Sequence, residues 1–126
     1  MSSEPLTVLI ADDNGLFVRA LEGLLESEQS IRVIARAENG DTAAHLAAEL
    51  RPDVVLMDLS MPYLDGFEAT ARILEEAPGT AIVVLTGSND PDDVERARTA
   101  GAAGYVTKDR ILAELVAAIR SAARPG

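Results

Sequence analysis

Three stretches of the chain, Leu6 to Ala11, Val54 to Met57 and Ala81 to Leu85, are almost wholly apolar and rich in Val, Leu and Ile. A strand reads this way when helices cover both of its faces, because neither side then needs a polar residue. Ile31 to Ala37 interleaves arginines, and Ala103 to Val106 is short, so these two predict edge strands. Between the strands lie five stretches of helical period. The first carries Leu16, Phe17, Ala20, Leu21, Leu24 and Leu25 on one face, and the last carries Ile111, Leu112, Leu115, Val116 and Ile119. Asn39-Gly40-Asp41 and Asp65-Gly66 mark the turns before the second and third helices. The fourth, Pro91 to Ala100, is polar with a thin apolar face, which predicts the most mobile helix and an i, i+4 pair between Asp92 and Arg96.

Strict alternation of strand and helix implies an α/β, doubly wound, five-stranded parallel sheet wrapped by five helices. In such folds chemistry gathers beyond the carboxyl ends of the strands. That rule selects the residues to examine. Asp12 and Asp13 follow the first strand, Asp58 the third, Thr86 the fourth, and Lys108 comes shortly after the fifth. Scattered along the chain, the five converge on one edge of the sheet.

The 126 residues suit one domain, and aromatic residues at 3% leave the core to aliphatic side chains. The absence of cysteine excludes disulfides, thiol catalysis and thiolate-bound zinc. A formal charge of −10 argues against direct contact with a nucleic-acid backbone. No apolar stretch approaches membrane-spanning length, and the first five residues lack the features of a signal peptide, so a cytoplasmic location is the default expectation.

Three carboxylates held together repel one another, and a divalent cation among them lowers that cost. Their ligand atoms are hard oxygens, with no cysteine and no nearby histidine, which points to Mg2+. Lys108 adds a point charge suited to a phosphate oxygen, and Thr86 a hydroxyl donor. Together they can neutralise a transferring phosphoryl group while a carboxylate attacks phosphorus. Asp58 is the expected nucleophile, because it alone ends a central strand. Each residue also has a bland reading: Asp12-Asp13 as a helix cap, Asp58 as a turn residue, Lys108 as a solvated lysine with Asp109 capping the last helix, Tyr105 as packing. Their joint occurrence at the strand ends favours the functional reading. His45, the single histidine, falls on the second helix, far from the acids, and reads as a half-exposed helix residue.

The ordered set Asp12-Asp13, Val54 to Pro62, Asp65-Gly66, Val84-Leu85-Thr86 and Tyr105-Val106-Thr107-Lys108 resembles the receiver domain of two-component response regulators over nearly the whole chain. Lys108-Asp109 and the run Gly101 to Tyr105 look like the LuxR-type (NarL/FixJ) subfamily. The resemblance implies a flavodoxin-like sheet of order 2-1-3-4-5, with a receiver over residues 1–123 and a linker or tail at 124–126. It implies that a sensor histidine kinase donates a phosphoryl group to Asp58. Mg2+ would be bound by Asp13, Asp58 and the backbone carbonyl of Ser60, with Asp12 acting largely through water. Thr86 would move toward the aspartyl phosphate, Lys108 would pair with its oxygen, and Tyr105 would swing inward. The surface of the fourth helix, fifth strand and fifth helix would then change for a partner, with homodimerisation on phosphorylation as one outcome. DNA would be reached only through a C-terminal output domain.

Asn14 stands where this subfamily often has histidine, and Tyr63 where glycine is common. Ser60 and Ser88 flank the site without a carboxylate or amide to orient an attacking water, which predicts a long-lived phosphoryl state. The role is a switch and not a turnover enzyme. Two alternatives remain: an interaction module that takes no phosphate, and a magnesium-dependent phosphatase with an aspartate nucleophile. The phosphatase is disfavoured by Ser60, which stands where such enzymes carry a second aspartate.

Overall fold

In the computed structural model, which describes residues 4–59, 61, 65–87 and 90–123, strands and helices alternate along the chain. The order is β1 (Leu6–Ala11), α1 (Gly15–Glu26), β2 (Ile31–Ala37), α2 (Gly40–Leu50), β3 (Val54–Asp58) and α3 (Gly66–Glu76). Then come β4 (Ala81–Thr86), α4 (Pro91–Ala100), β5 (Gly104–Thr107), a 3₁₀ turn at Lys108–Arg110 and α5 (Ile111–Ala123). The strands are parallel and lie in the order β2-β1-β3-β4-β5, as the resemblance implied. The two strands read as edges are the edges. Along β2 the register with β1 shifts between Val8 and Leu9, so that Ile34 is bulged out of the ladder.

The alternation of side chains along each strand divides the core into two layers. Val8, Ile10, Val54, Leu56, Val83, Leu85 and Val106 face one layer, which α1 and α5 close with Val18, Leu21, Leu25, Ile111, Leu115 and Ile119. Leu9, Ala11, Val55, Met57, Ile82 and Val84 face the other, closed by α2, α3 and α4 with small residues such as Ala43, Ala47, Ala69 and Ala97. Alanines let helices approach the sheet closely, which is how a chain this poor in aromatics fills its interior.

Two helix faces differ from the sequence reading. Leu16 is 79% exposed and Leu112 is 87% exposed, although both fit the apolar stripe of their helices, while Val18 is buried in α1. The face that meets the sheet is a narrow stripe at Val18, Leu21 and Leu25, and at Ile111, Leu115 and Ile119, and a residue one or two positions away rotates out of it. On α4 only Ala97 is buried, as its thin apolar face predicts. The expected Asp92–Arg96 pair is absent from the ion pairs of the described residues. The Arg96 guanidinium instead lies 3.9 Å from the centroid of the Phe67 ring on α3. His45 points outward on α2, with its Nε2 3.8 Å from Glu49.

Candidate functional site

The five polar residues singled out above come together beyond the carboxyl edge of the sheet. Asp12 leaves β1 and is buried, 2% exposed, with its backbone N–H donated to Ala37 O at 3.0 Å. One of its carboxylate oxygens accepts the Asn14 N–H at 2.9 Å. Asn14 is the residue that caps α1, accepting from Leu16 and Phe17 N–H. The capping role open to Asp12-Asp13 therefore falls to their neighbour, and both aspartates are left to the site.

Asp58 ends β3 and is 5% exposed. It continues the alternation of Val54 and Leu56, which places it on the α1–α5 side of the sheet. Thr86 ends β4 and continues the alternation of Ile82 and Val84, toward α3 and α4. Lys108 follows β5 and reaches back over the edge. Its Nζ lies 3.0 Å from Asp12 Oδ2 and 3.6 Å from Asp58 Oδ1, the first a charge-assisted hydrogen bond and the second an ion pair too long to be one. The Nζ also stands 4.2 Å from the centroid of the Phe17 ring.

Carboxylate oxygens of Asp12, Asp13 and Asp58 lie within 4.8 Å of one another, two of the groups buried and one exposed. Three carboxylates held this close repel one another, and the Lys108 ammonium offsets only part of that repulsion, which costs more where the groups are buried. A hard dication fits this set on charge and on donor type alike, because every ligand atom is oxygen and the exposed Asp13 side leaves room for the waters magnesium retains. The Ser60 carbonyl, expected to complete the set, lies outside the described residues, as do Tyr63 and Ser88.

The α3 end of the site depends on Asp65-Gly66. Asp65 caps α3 by accepting the Glu68 N–H at 2.9 Å, and the Gly66 N–H reaches Leu59 O at 3.3 Å. A Cβ at Gly66 would lie 2.5 Å from Asp58 O and 2.8 Å from Leu59 Cα, both backbone atoms. Only glycine lets the helix start this close to the end of β3.

Tyr105 on β5 packs with the α2–α4 layer and shares a hydrogen bond with Thr86. Its phenol is raised above the ordinary value of 10.0, chiefly by burial, while the hydrogen bond with Thr86 pulls the other way and Asp93 and Asp90 add to the rise. The raised value means the folded protein holds the phenolic proton more tightly than the unfolded chain does. The stability this contributes is complete below the unfolded value and is lost as the pH climbs through the folded one. In a Tyr63→Phe variant, which leaves Tyr105 as the single tyrosine, absorbance at 295 nm should titrate with a midpoint above 10. A midpoint at or below that of free tyrosine would show a solvated phenol.

Residues 8–120 match the family model described as the response regulator receiver domain. The response regulator GacA of Pseudomonas aeruginosa is 40% identical over 115 residues, covering 91% of this chain and 54% of that protein. The transcriptional regulatory protein LiaR of Bacillus subtilis is 41% identical over 119 residues, covering 94% and 56%. The chain thus spans about half the length of these relatives. Among solved structures, the signal receiver domain of NarL from Mycobacterium tuberculosis superposes with a TM-score of 0.91 at 30% identity, covering 96% of this chain and 98% of that one.

Proposed function

The chain belongs to the response regulator receiver family of two-component systems, with relatives of the LuxR/NarL type, and from that premise we propose that it accepts a phosphoryl group on Asp58. The reading rests on one observation. Asp12, Asp13 and Asp58 bring their carboxylate oxygens within 4.8 Å of one another, and the Lys108 ammonium stands 3.0 Å from the first and 3.6 Å from the last.

Receivers bind Mg2+ at such an acidic pocket; here Asp12, Asp13, Asp58 and the Ser60 carbonyl would hold it, Asp12 largely through water. Bound there, the ion supplies neutralising charge for a phosphoryl group. An Asp58 carboxylate oxygen attacks phosphorus; the new P–O bond forms as the bond to the donor breaks, and the donor atom leaves with its electron pair. Lys108 pairs with a phosphoryl oxygen, and Thr86 donates its hydroxyl to another. The donor in the cell is a sensor histidine kinase. Residues 1–123 form the receiver.

Thr86 links this chemistry to a surface. Its bond to Tyr105 means that any motion of Thr86 toward the phosphoryl group changes what holds the phenol. A shift of the two biases the packing of α4, β5 and α5, a population shift between two arrangements that a partner reads. That partner is a second receiver or a DNA-binding output domain on the same polypeptide. The chain acts as a signalling switch without a separate turnover substrate. Among the described residues no helix is long and apolar enough to cross a membrane.

Incubation with Mg2+ and acetyl phosphate tests the reading directly. Intact mass should show one added phosphoryl group, lost on treatment with hydroxylamine. A protein that gains no mass and binds no beryllofluoride would be an interaction module instead.

A further inference from the structure

The ring of Phe17 has no place in the mechanism above, yet it touches the most important cation of the site. We propose that Phe17 is a positioning residue for Lys108, keeping the ammonium over the site when the carboxylates cease to hold it. The inference rests on the phosphoacceptor reading and adds a residue to it.

Lys108 is poorly restrained by its own backbone. It opens a 3₁₀ turn of three residues directly after a four-residue strand, and its stem has four rotatable bonds. The side chain is 28% exposed, so water competes for the ammonium. Three groups hold it: Asp12 at 3.0 Å, Asp58 at 3.6 Å and the Phe17 ring at 4.2 Å. The two acids hold it only while their charge is uncommitted. A dication shared between them weakens both contacts, and esterification of Asp58 removes the carboxylate charge of the second, at the stage when the phosphoryl oxygens need the ammonium. The attraction of the ring face for a cation does not change with those events.

Phe17 is held by its helix and its layer, with Asp12 touching it only indirectly through the backbone of Asn14. It lies in the first turn of α1, its N–H bonded to the Asn14 cap at 3.2 Å, and its side chain packs against the layer closed by α1 and α5. Lys108 follows β5 with the parity of Val106, which faces the same layer. The ring thus forms a rigid side wall to the position of Nζ.

Lys108 is the single lysine of the chain, which makes the proposal readable without resonance assignment. In protein labelled with [ε-13C]lysine, the ε-methylene protons should resonate upfield of solvated lysine through the ring current of Phe17. They should remain upfield after Mg2+ and beryllofluoride are added. Phe17→Leu keeps an apolar side chain but removes the ring face; the upfield shift should vanish, and phosphorylation by acetyl phosphate at saturating Mg2+ should slow about threefold. Phe17→Tyr should restore both, which a merely apolar role for the position does not predict. A Lys108 signal at the solvated position in the wild type, or one that moves there on adding Mg2+, would overturn the proposal. So would a Phe17→Leu variant phosphorylated at the wild-type rate. A wild type that takes no phosphate overturns the phosphoacceptor reading itself, and the proposal falls with it.

Discussion

Asp58→Asn is expected to abolish phosphoryl uptake and, in the absence of Mg2+, to make the protein more stable. The first effect follows from chemistry: a neutral amide has no carboxylate oxygen to attack phosphorus. The second follows from the charge balance of the site. In the wild type Asp58 is buried beside Asp12 and Asp13, and Lys108 opposes them. Two unit charges 4 Å apart interact by about 4 kcal/mol at an effective dielectric near 20. Asp58 experiences two repulsions of roughly this kind and one attraction, so its neutralisation relieves about one. Asp13 is exposed and screened, which lowers the net gain to about 1–2 kcal/mol. Lys108 keeps its shorter contact with Asp12 and does not become an orphan. Guanidinium denaturation with and without Mg2+ reads both sides: the variant should have the higher midpoint without the ion and gain less when it is added. A lower midpoint without Mg2+ would mean that the attraction to Lys108 outweighs the repulsion among the acids. The site is then built at a cost to the fold, the pattern expected where a charged cluster serves a bound ligand.

The residues of that cluster were legible because the fold makes strand ends converge. The three central strands stand out as continuous apolar runs, since both faces are covered, and the edge strands as the charged run and the short one. Once the strands are placed, Asp12, Asp58, Thr86 and Lys108 follow from the rule that chemistry sits at their carboxyl ends. What the sequence did not reveal are contacts between elements. The i, i+4 spacing pairs Arg96 with Asp92, yet the Phe67 ring on the neighbouring helix takes it. Leu16 and Leu112 fit the periodicity of apolar faces but turn outward, because periodicity identifies a stripe without locating its centre. Phe17 reads as core from its spacing, and nothing local signals that its ring meets the ammonium of a lysine at the other end of the chain. The Thr7–Asp53 staple is equally silent in sequence: the Asp53 carboxylate accepts both the N–H and the hydroxyl of Thr7, and the Asp53 N–H returns a bond to that hydroxyl. It ties β1 to the start of β3 at the end of the sheet away from the acids.

Gly66→Ala should destabilise the protein by about 3 kcal/mol and slow phosphorylation on the order of tenfold to a hundredfold. Asp65-Gly66 looks like a turn that needs the conformational freedom of glycine, but among the described residues Gly101 is the one glycine at positive φ. Gly66 is required for space. Its added Cβ would fall 2.5 Å from the carbonyl oxygen of Asp58 and 2.8 Å from Leu59 Cα, and neither is the free end of a side chain that could yield. Either α3 retreats, weakening the Gly66 N–H bond to Leu59 O and the packing of Ala69 and Ile73, or the end of β3 moves and carries Asp58 with it. A nucleophile displaced by a fraction of an ångström loses its alignment with the phosphoryl group and with Lys108. Gly23→Ala is the matched control. Gly23 lies exposed inside α1 with nothing within 4 Å of an added Cβ, so the same change there should stabilise by about 0.5–1 kcal/mol through helix propensity alone. Unfolding midpoints of the two variants should therefore move in opposite directions from the wild type, while the initial rate of phosphorylation falls in Gly66→Ala and stays at the wild-type value in Gly23→Ala. If Gly66→Ala matched the wild type in both, α3 would not be held against the phosphoacceptor strand, and the geometry that aims Asp58 would have to come from elsewhere.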